Sequence, residues 1–126
     1  MGYTKIFHID DDDDDIDFFV AAIEYLSDEA SCFSFTNAAK AMQKLVSGTL
    51  IPDIIFVDLN MPIINGQEFL SMLKATAGLQ DIPVVILSTS SDAVTVSKLR
   101  AEGAKGFLTK PTSIKELSNL LSPYLI

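Results

Sequence analysis

Five positions in this 126-residue chain carry groups that could act together. Four apolar stretches each end in a reactive side chain: Ile6-Phe7-His8-Ile9 in Asp10-Asp11, Ile54-Ile55-Phe56-Val57 in Asp58, Val84-Val85-Ile86-Leu87 in Ser88, and Gly106-Phe107-Leu108-Thr109 in Lys110. Carboxylates crowded together repel one another unless a cation neutralises them. Oxygen-only donors suit a hard ion, Mg2+ above all, with Mn2+ as a substitute. Lys110 would supply a fixed positive charge of the kind found at phosphate sites. Ser88 would supply a hydroxyl donor. A carboxylate nucleophile, a divalent ion, a lysine and a hydroxyl are the parts needed to transfer a phosphoryl group to an aspartate, with Asp58 attacking in line. Each position alone has an ordinary reading. Asp58 could be a turn aspartate, Asp10 and Asp11 could cap a helix, Ser88 could merely end a strand, and Lys110 could be a surface lysine.

The reading therefore depends on the elements that position them. Pro52 and Pro62 bracket the Asp58 run, and Asn65-Gly66 follows as a turn signal. A short β-branched run of this kind predicts a strand buried on both faces. Strands are also predicted over Lys5 to Asp10, Cys32 to Thr36, Val84 to Leu87 and Gly106 to Thr109. Between them lie helical patterns. Phe18, Phe19, Ala22, Ile23 and Leu26 recur at helical spacing after an acidic start near Asp13 to Asp15. Asn37 and Asp92 suit helix caps, Gly48 and Gly103 suit helix stops, and a further helix is expected from Gln67 to about Ala75. The last helix begins near Ser113 with Ile114, Leu117, Leu120 and Leu121 on one face, and Pro123 is expected to end or bend it. Strands alternating with helices imply a five-stranded parallel sheet with helices on both faces, in the flavodoxin-like order 2-1-3-4-5. That order makes strands 1 and 3 neighbours, so all five groups would face one crevice beyond the carboxyl ends of the strands.

Composition narrows the setting. Apolar residues make up 48% of the chain, enough for a packed core. The length suits one domain, expected to span residues 1–126 with no output domain attached. No apolar run approaches the roughly 20 residues of a membrane span. The start is not a signal peptide, because an acidic run follows almost at once, and Ile6 breaks a myristoylation pattern. Cys32 stands alone, consistent with a cytoplasmic location. Net charge is −8, and seven acids lie between Asp10 and Asp17, so the acidity is local and suits a cation or a basic partner. Direct nucleic-acid binding is not expected without a basic patch.

The same residues carry a family resemblance. Ile9-Asp10-Asp11-Asp12, Phe56 to Pro62, Asn65-Gly66, Leu87-Ser88 and Gly106 to Pro111, in this order and spacing, resemble the receiver domain of two-component response regulators, in particular the stand-alone, chemotaxis-regulator-like kind. Each motif is weak alone; together they cover the whole chain. The resemblance implies that Asp58 accepts phosphate from a histidine kinase or phosphotransfer protein, and that the chain catalyses only its own phosphorylation and dephosphorylation. It implies a metal site of Asp10, Asp11, Asp58 and the main-chain carbonyl of Asn60, with Asp11 the closer ligand and Asp10 acting partly through water. Ser88 and Thr89 would bind the phosphoryl group, Lys110 would bridge to it, and Lys110–Pro111 would be a cis bond. Ser88 and Phe107 would form the switch, relayed to a protein partner through the face of helix 4, strand 5 and helix 5, including Lys98, Lys105 and Lys115. The chain departs from the family in carrying Phe107 where Tyr is frequent and Ser88 where Thr is more frequent. Without a hydroxyl, Phe107 is expected to favour its inward position.

Other readings fit less well. A haloacid-dehalogenase-type phosphatase also uses an Asp nucleophile, but needs a second Asp where this chain has Asn60. A docking-only pseudo-receiver would lack the acceptor or the lysine, and both are present. Asp13, Asp15 and Asp17 mimic an EF-hand start, but Phe18 stands where that loop requires glycine. Asp12 to Asp15 and Asp17 are read as a cap and a solvated first helical turn. His8 is read as a packed or hydrogen-bonded core residue, and Met42, Met61 and Met72 as gap fillers.

Overall fold

A computed structural model describes residues 2–90 and 92–125; Met1 and Ile126, the two ends of the expected domain, lie outside them. The chain alternates β1 (Lys5–Ile9), α1 (Asp13–Leu26), β2 (Ser31–Phe35), α2 (Ala38–Ser47), β3 (Ile54–Asp58), α3 (Gly66–Lys74), β4 (Val84–Ser88), α4 (Ala93–Ala101), β5 (Gly106–Thr109) and α5 (Ile114–Leu125). All strand pairs are parallel, in the order β2-β1-β3-β4-β5. The expected topology is thus observed, and element limits differ from the expectation only at their ends.

Two apolar layers explain why β1, β3 and β4 read as nearly continuous apolar runs. Successive side chains on a strand point to opposite faces. Phe7, Ile55, Val57 and Ile86 pack with Phe69, Leu70 and Leu45 on one face. Ile6, Ile54, Phe56 and Val85 pack with Phe19, Ile23, Leu117 and Leu121 on the other. Every residue of β3 is buried, so this strand is the spine between the layers. Its flanking acids differ in role. At the amino end, the Asp53 carboxylate accepts hydrogen bonds from the Thr4 and Lys5 amides at 3.0 and 2.9 Å, a clip between loops. At the carboxyl end, Asp58 points into the crevice described below.

One expectation about helix ends is corrected. Pro123 does not end α5, which continues to Leu125. Proline removes one helical hydrogen bond, but tertiary contacts hold the last turn. The Tyr3 amide donates to the Tyr124 carbonyl at 3.0 Å, the Tyr124 ring meets Phe56 edge-on, and Leu125 is buried in the α1–α5 layer.

Candidate functional site

The β1–α1 connection is built from aspartates that cap one another. Asp10 Oδ1 accepts from the Asp12 amide at 3.0 Å, and Asp12 Oδ1 accepts from the Asp14 and Asp15 amides at 2.8 and 3.3 Å. Asp12 is therefore the N-cap of α1, as its type favours. This leaves Asp10 fully buried and Asp11 exposed at the lip of the crevice.

The β3–α3 connection presents Asp58. Its Oδ1 accepts from the Asn60 amide at 3.3 Å. The chain then turns sharply at Ile63, where the Ile64 amide donates to the Pro62 carbonyl at 2.8 Å and φ is +68°. That conformation is strained for a β-branched residue. α3 starts so close to the strand that a Cβ on Gly66 would lie 2.6 Å from the Asp58 carbonyl oxygen. Asn65 and Glu68 close a capping box over that start.

Carboxylate oxygens of Asp10, Asp11 and Asp58 lie within 4.8 Å of one another. Lys110 Nζ sits 3.0 Å from Asp10, 2.9 Å from Asp15 and 3.4 Å from Asp58. Its backbone is fixed by an amide donated to the Ser88 carbonyl at 2.7 Å. Ser88 is buried at the end of β4, with its hydroxyl accepting from the Ser90 amide at 3.3 Å; Thr89 is exposed beside it. Asp10, Asp11, Asp58 and Lys110 are thus brought together, and Ser88 is tied by backbone to Lys110. The structure adds Asp15, which the sequence reading left in the solvated turn. No local signal marked it: Asp13, Asp14 and Asp15 all lie in the first turn of α1, and only the structure shows which of them meets Lys110.

The expected cis bond is corrected: among the described residues no peptide bond is cis, and Lys110–Pro111 is trans. A trans X–Pro bond is favoured by about 0.5–1 kcal/mol, and from it the ammonium already reaches three carboxylates. Phe107 is half-buried and packs against the layer containing Ile86 and Leu99.

Burial and mutual charge set the protonation of these groups. Burial raises the Asp10 carboxyl to about 6, against the pull of the Asp12 amide and Lys110. Burial also raises Asp58, opposed first by Lys110. Lys110 is pulled down by burial, but hydrogen bonds to Asp15 and Asp10 outweigh it and its net shift is upward. The ammonium therefore helps keep Asp58 ionised. His8 is buried against Phe19, ring centroids 3.9 Å apart and nearly coplanar, and burial followed by Lys110 lowers it to about 3. It is a neutral core residue beside a cavity of about 40 Å3 that Lys110, Leu87 and Leu117 also line.

The donor set suits a hard divalent ion: all oxygen, mainly anionic, with a buried carboxylate beside an exposed one. An ion taking an oxygen of Asp10 must displace its proton. Divalent affinity is therefore expected to rise as pH increases through about 6 and to level off above it. In the ion-free protein the sign reverses for stability: the folded state holds this proton more tightly than the unfolded chain, so the contribution of Asp10 grows as pH falls through that range. Calorimetric Mg2+ titrations on either side of that pH check the first statement, and equal affinities would contradict it.

A doubly wound parallel sheet with acids at the ends of β1 and β3 and a lysine at the end of β5 is the architecture of a phosphoacceptor switch. The chain belongs to the response regulator receiver domain family, whose pattern it matches over residues 6–122. It is similar to the two-component response regulator ORR6 of Oryza sativa subsp. japonica, 34% identical over 113 residues, covering 88% of this chain and 66% of that protein. The chain thus spans about two thirds of that relative's length. Among solved structures, the phosphorylated cyanobacterial phytochrome response regulator RcpA superposes with a TM-score of 0.84 at 26% identity, over 97% of this chain and 91% of that one. The Mn(2+)-bound form of response regulator Rcp1 shares the fold, with a TM-score of 0.80 at 24% identity, over 95% of this chain and 90% of that one. Receiver domains of two-component systems are phosphoacceptor signalling switches that bind a divalent metal, and the acidic trio is where this chain could hold one.

Proposed function

We propose that Asp58 is the acceptor of this switch and that the ion is Mg2+, held by Asp10, Asp11, Asp58 and the Asn60 carbonyl. The observation that carries the reading is the convergence of three carboxylates and one ammonium at the ends of β1, β3 and β5. A histidine kinase or phosphotransfer protein is the donor. A carboxylate oxygen of Asp58 attacks the phosphorus, the bond from phosphorus to the donor imidazole nitrogen breaks, and that nitrogen keeps the electron pair. When bound, Mg2+ supplies positive charge to the phosphoryl oxygens. Lys110 supplies a second positive charge, and Ser88 with Thr89 supplies donors at the end of β4. The chain acts on no other substrate. It works in the cytoplasm; among the described residues no helix is long and apolar enough to cross a membrane.

The output passes through Ser88 and Phe107. A doubly charged phosphoryl group at Asp58 draws the Ser88 hydroxyl towards it, which frees space for Phe107 behind β4. Phe107 already packs partly inward and has no hydroxyl to favour the outward position, so the switch is partly preset. The face of α4, β5 and α5, with Lys98, Lys105 and Lys115 exposed on or beside it, takes the downstream protein.

Substitution at the metal site tests the reading. Asp11→Ala should lose most Mg2+ binding and Mg2+-dependent labelling by acetyl phosphate, while Asp14→Ala should change both little. Equal losses in the two variants would mean that the acidic run gathers cations diffusely and that there is no built site.

A further inference from the structure

Lys110 has more acid around it than phosphoryl transfer requires. An ammonium has three N–H donors. Two of them make hydrogen bonds, to Asp10 at 3.0 Å and to Asp15 at 2.9 Å. Asp58, the residue the lysine is expected to serve, lies farther from it, at 3.4 Å. Asp15 lies in the first turn of α1, which Asp12 caps, and from there its carboxylate reaches the ammonium.

We propose that Asp15 is a competing counter-ion for Lys110, holding the ammonium back from Asp58 until an incoming phosphoryl group displaces it. This rests on Asp58 being the acceptor. To engage a phosphoryl oxygen, Lys110 must release one of its two hydrogen-bonded partners, and the two are unequal. The Asp10 side chain is 1% exposed, so water cannot reach its oxygens to replace the ammonium. The Asp15 side chain is 43% exposed, so water can take over its oxygens. Asp15 is therefore the partner that leaves. A phosphoryl group carries about −1.5 to −2 charge against the single charge of Asp15, so it prevails in the exchange. What Lys110 gives the phosphoryl group is nonetheless reduced by what it gives up. A half-exposed pair of this kind is expected to reduce anion affinity by about two- to fivefold.

The test is a titration of beryllofluoride, with Mg2+ present, into the natural protein, Asp15→Asn, Asp14→Asn, Lys110→Ala and the double variant Asp15→Asn/Lys110→Ala. Asn preserves the shape of Asp, so Asp15→Asn removes charge without a packing change. Affinity should rise about two- to fivefold in Asp15→Asn and stay near the natural value in Asp14→Asn. With Lys110 already replaced, the Asp15 change should have little further effect, which a purely structural role for Asp15 would not produce. An unchanged or weaker Asp15→Asn, an equal rise in Asp14→Asn, or a full rise without Lys110 would each overturn the inference while leaving the acceptor intact. A natural protein that takes up no beryllofluoride would overturn the acceptor assignment and this inference with it.

Discussion

Asp58→Asn should remain folded and accept no phosphate: Mg2+-dependent label from acetyl phosphate should fall below about 1% of the natural level, because an amide oxygen cannot replace a carboxylate as nucleophile. Folding should survive for a definite reason. Asp58 is buried within reach of two other carboxylates, and burial already disfavours its charge. Removing that charge relieves repulsion, while Lys110 keeps its hydrogen bonds to Asp10 and Asp15. Thermal stability without Mg2+ should therefore hold or rise as labelling is lost. Labelling that persists would move the acceptor elsewhere among the acids. A loss of labelling with a collapsed melting temperature would show that Asp58 is needed for folding.

Gly66→Ala should damage both stability and transfer, although it adds only one methyl group. A Cβ there would lie 2.6 Å from the Asp58 carbonyl oxygen and 2.9 Å from the Leu59 Cα. Both neighbours are backbone, and the Gly66 amide is itself bonded to the Leu59 carbonyl at 3.0 Å, so nothing flexible can give way. Two effects compete. Alanine is a better helix former by about 0.5–1 kcal/mol in a helix interior, but Gly66 is the first residue of α3, where that gain is smallest. Forcing an extra methyl into a packed contact costs about 1–3 kcal/mol. The clash should win, lowering the urea midpoint. Because the atom displaced belongs to Asp58, labelling should slow as well. Stability and labelling both at natural levels would show that the strand end yields freely.

How much of this could be read from sequence depends on where each residue's meaning resides. The sheet was legible chiefly from β1, β3 and β4, which are buried and read as nearly unbroken apolar runs. Asp58, Asp10, Asp11 and Lys110 were legible because each follows such a run, and strand order then brings the ends together. Asp15 was hidden by its neighbours: Asp12 to Asp15 can each be explained as a cap or part of a solvated first turn, and only helix phase separates the member of that group that meets Lys110. That Pro123 does not end its helix was not legible, because the Tyr3, Phe56 and Leu125 contacts that hold the last turn are tertiary. The Lys110–Pro111 bond was expected cis from family likeness alone, and no local residue pattern decides that isomer.

The chain of aspartates capping aspartates at the start of α1 has a thermodynamic consequence. Asp10 spends one oxygen on the Asp12 amide and the other on Lys110, and Asp12 spends one on the next turn of backbone. Ordering that loop, which costs about 1–2 kcal/mol per residue, is thus completed when the protein folds and not when an ion arrives. An ion entering this crevice meets a frame already tied by hydrogen bonds. Stiff frames discriminate among ions by radius and dehydration, whereas loose ones mostly count charge. The acidic run, which looks in sequence like an indiscriminate cation sponge, is at Asp10 and Asp12 part of the folded backbone's own hydrogen bonding.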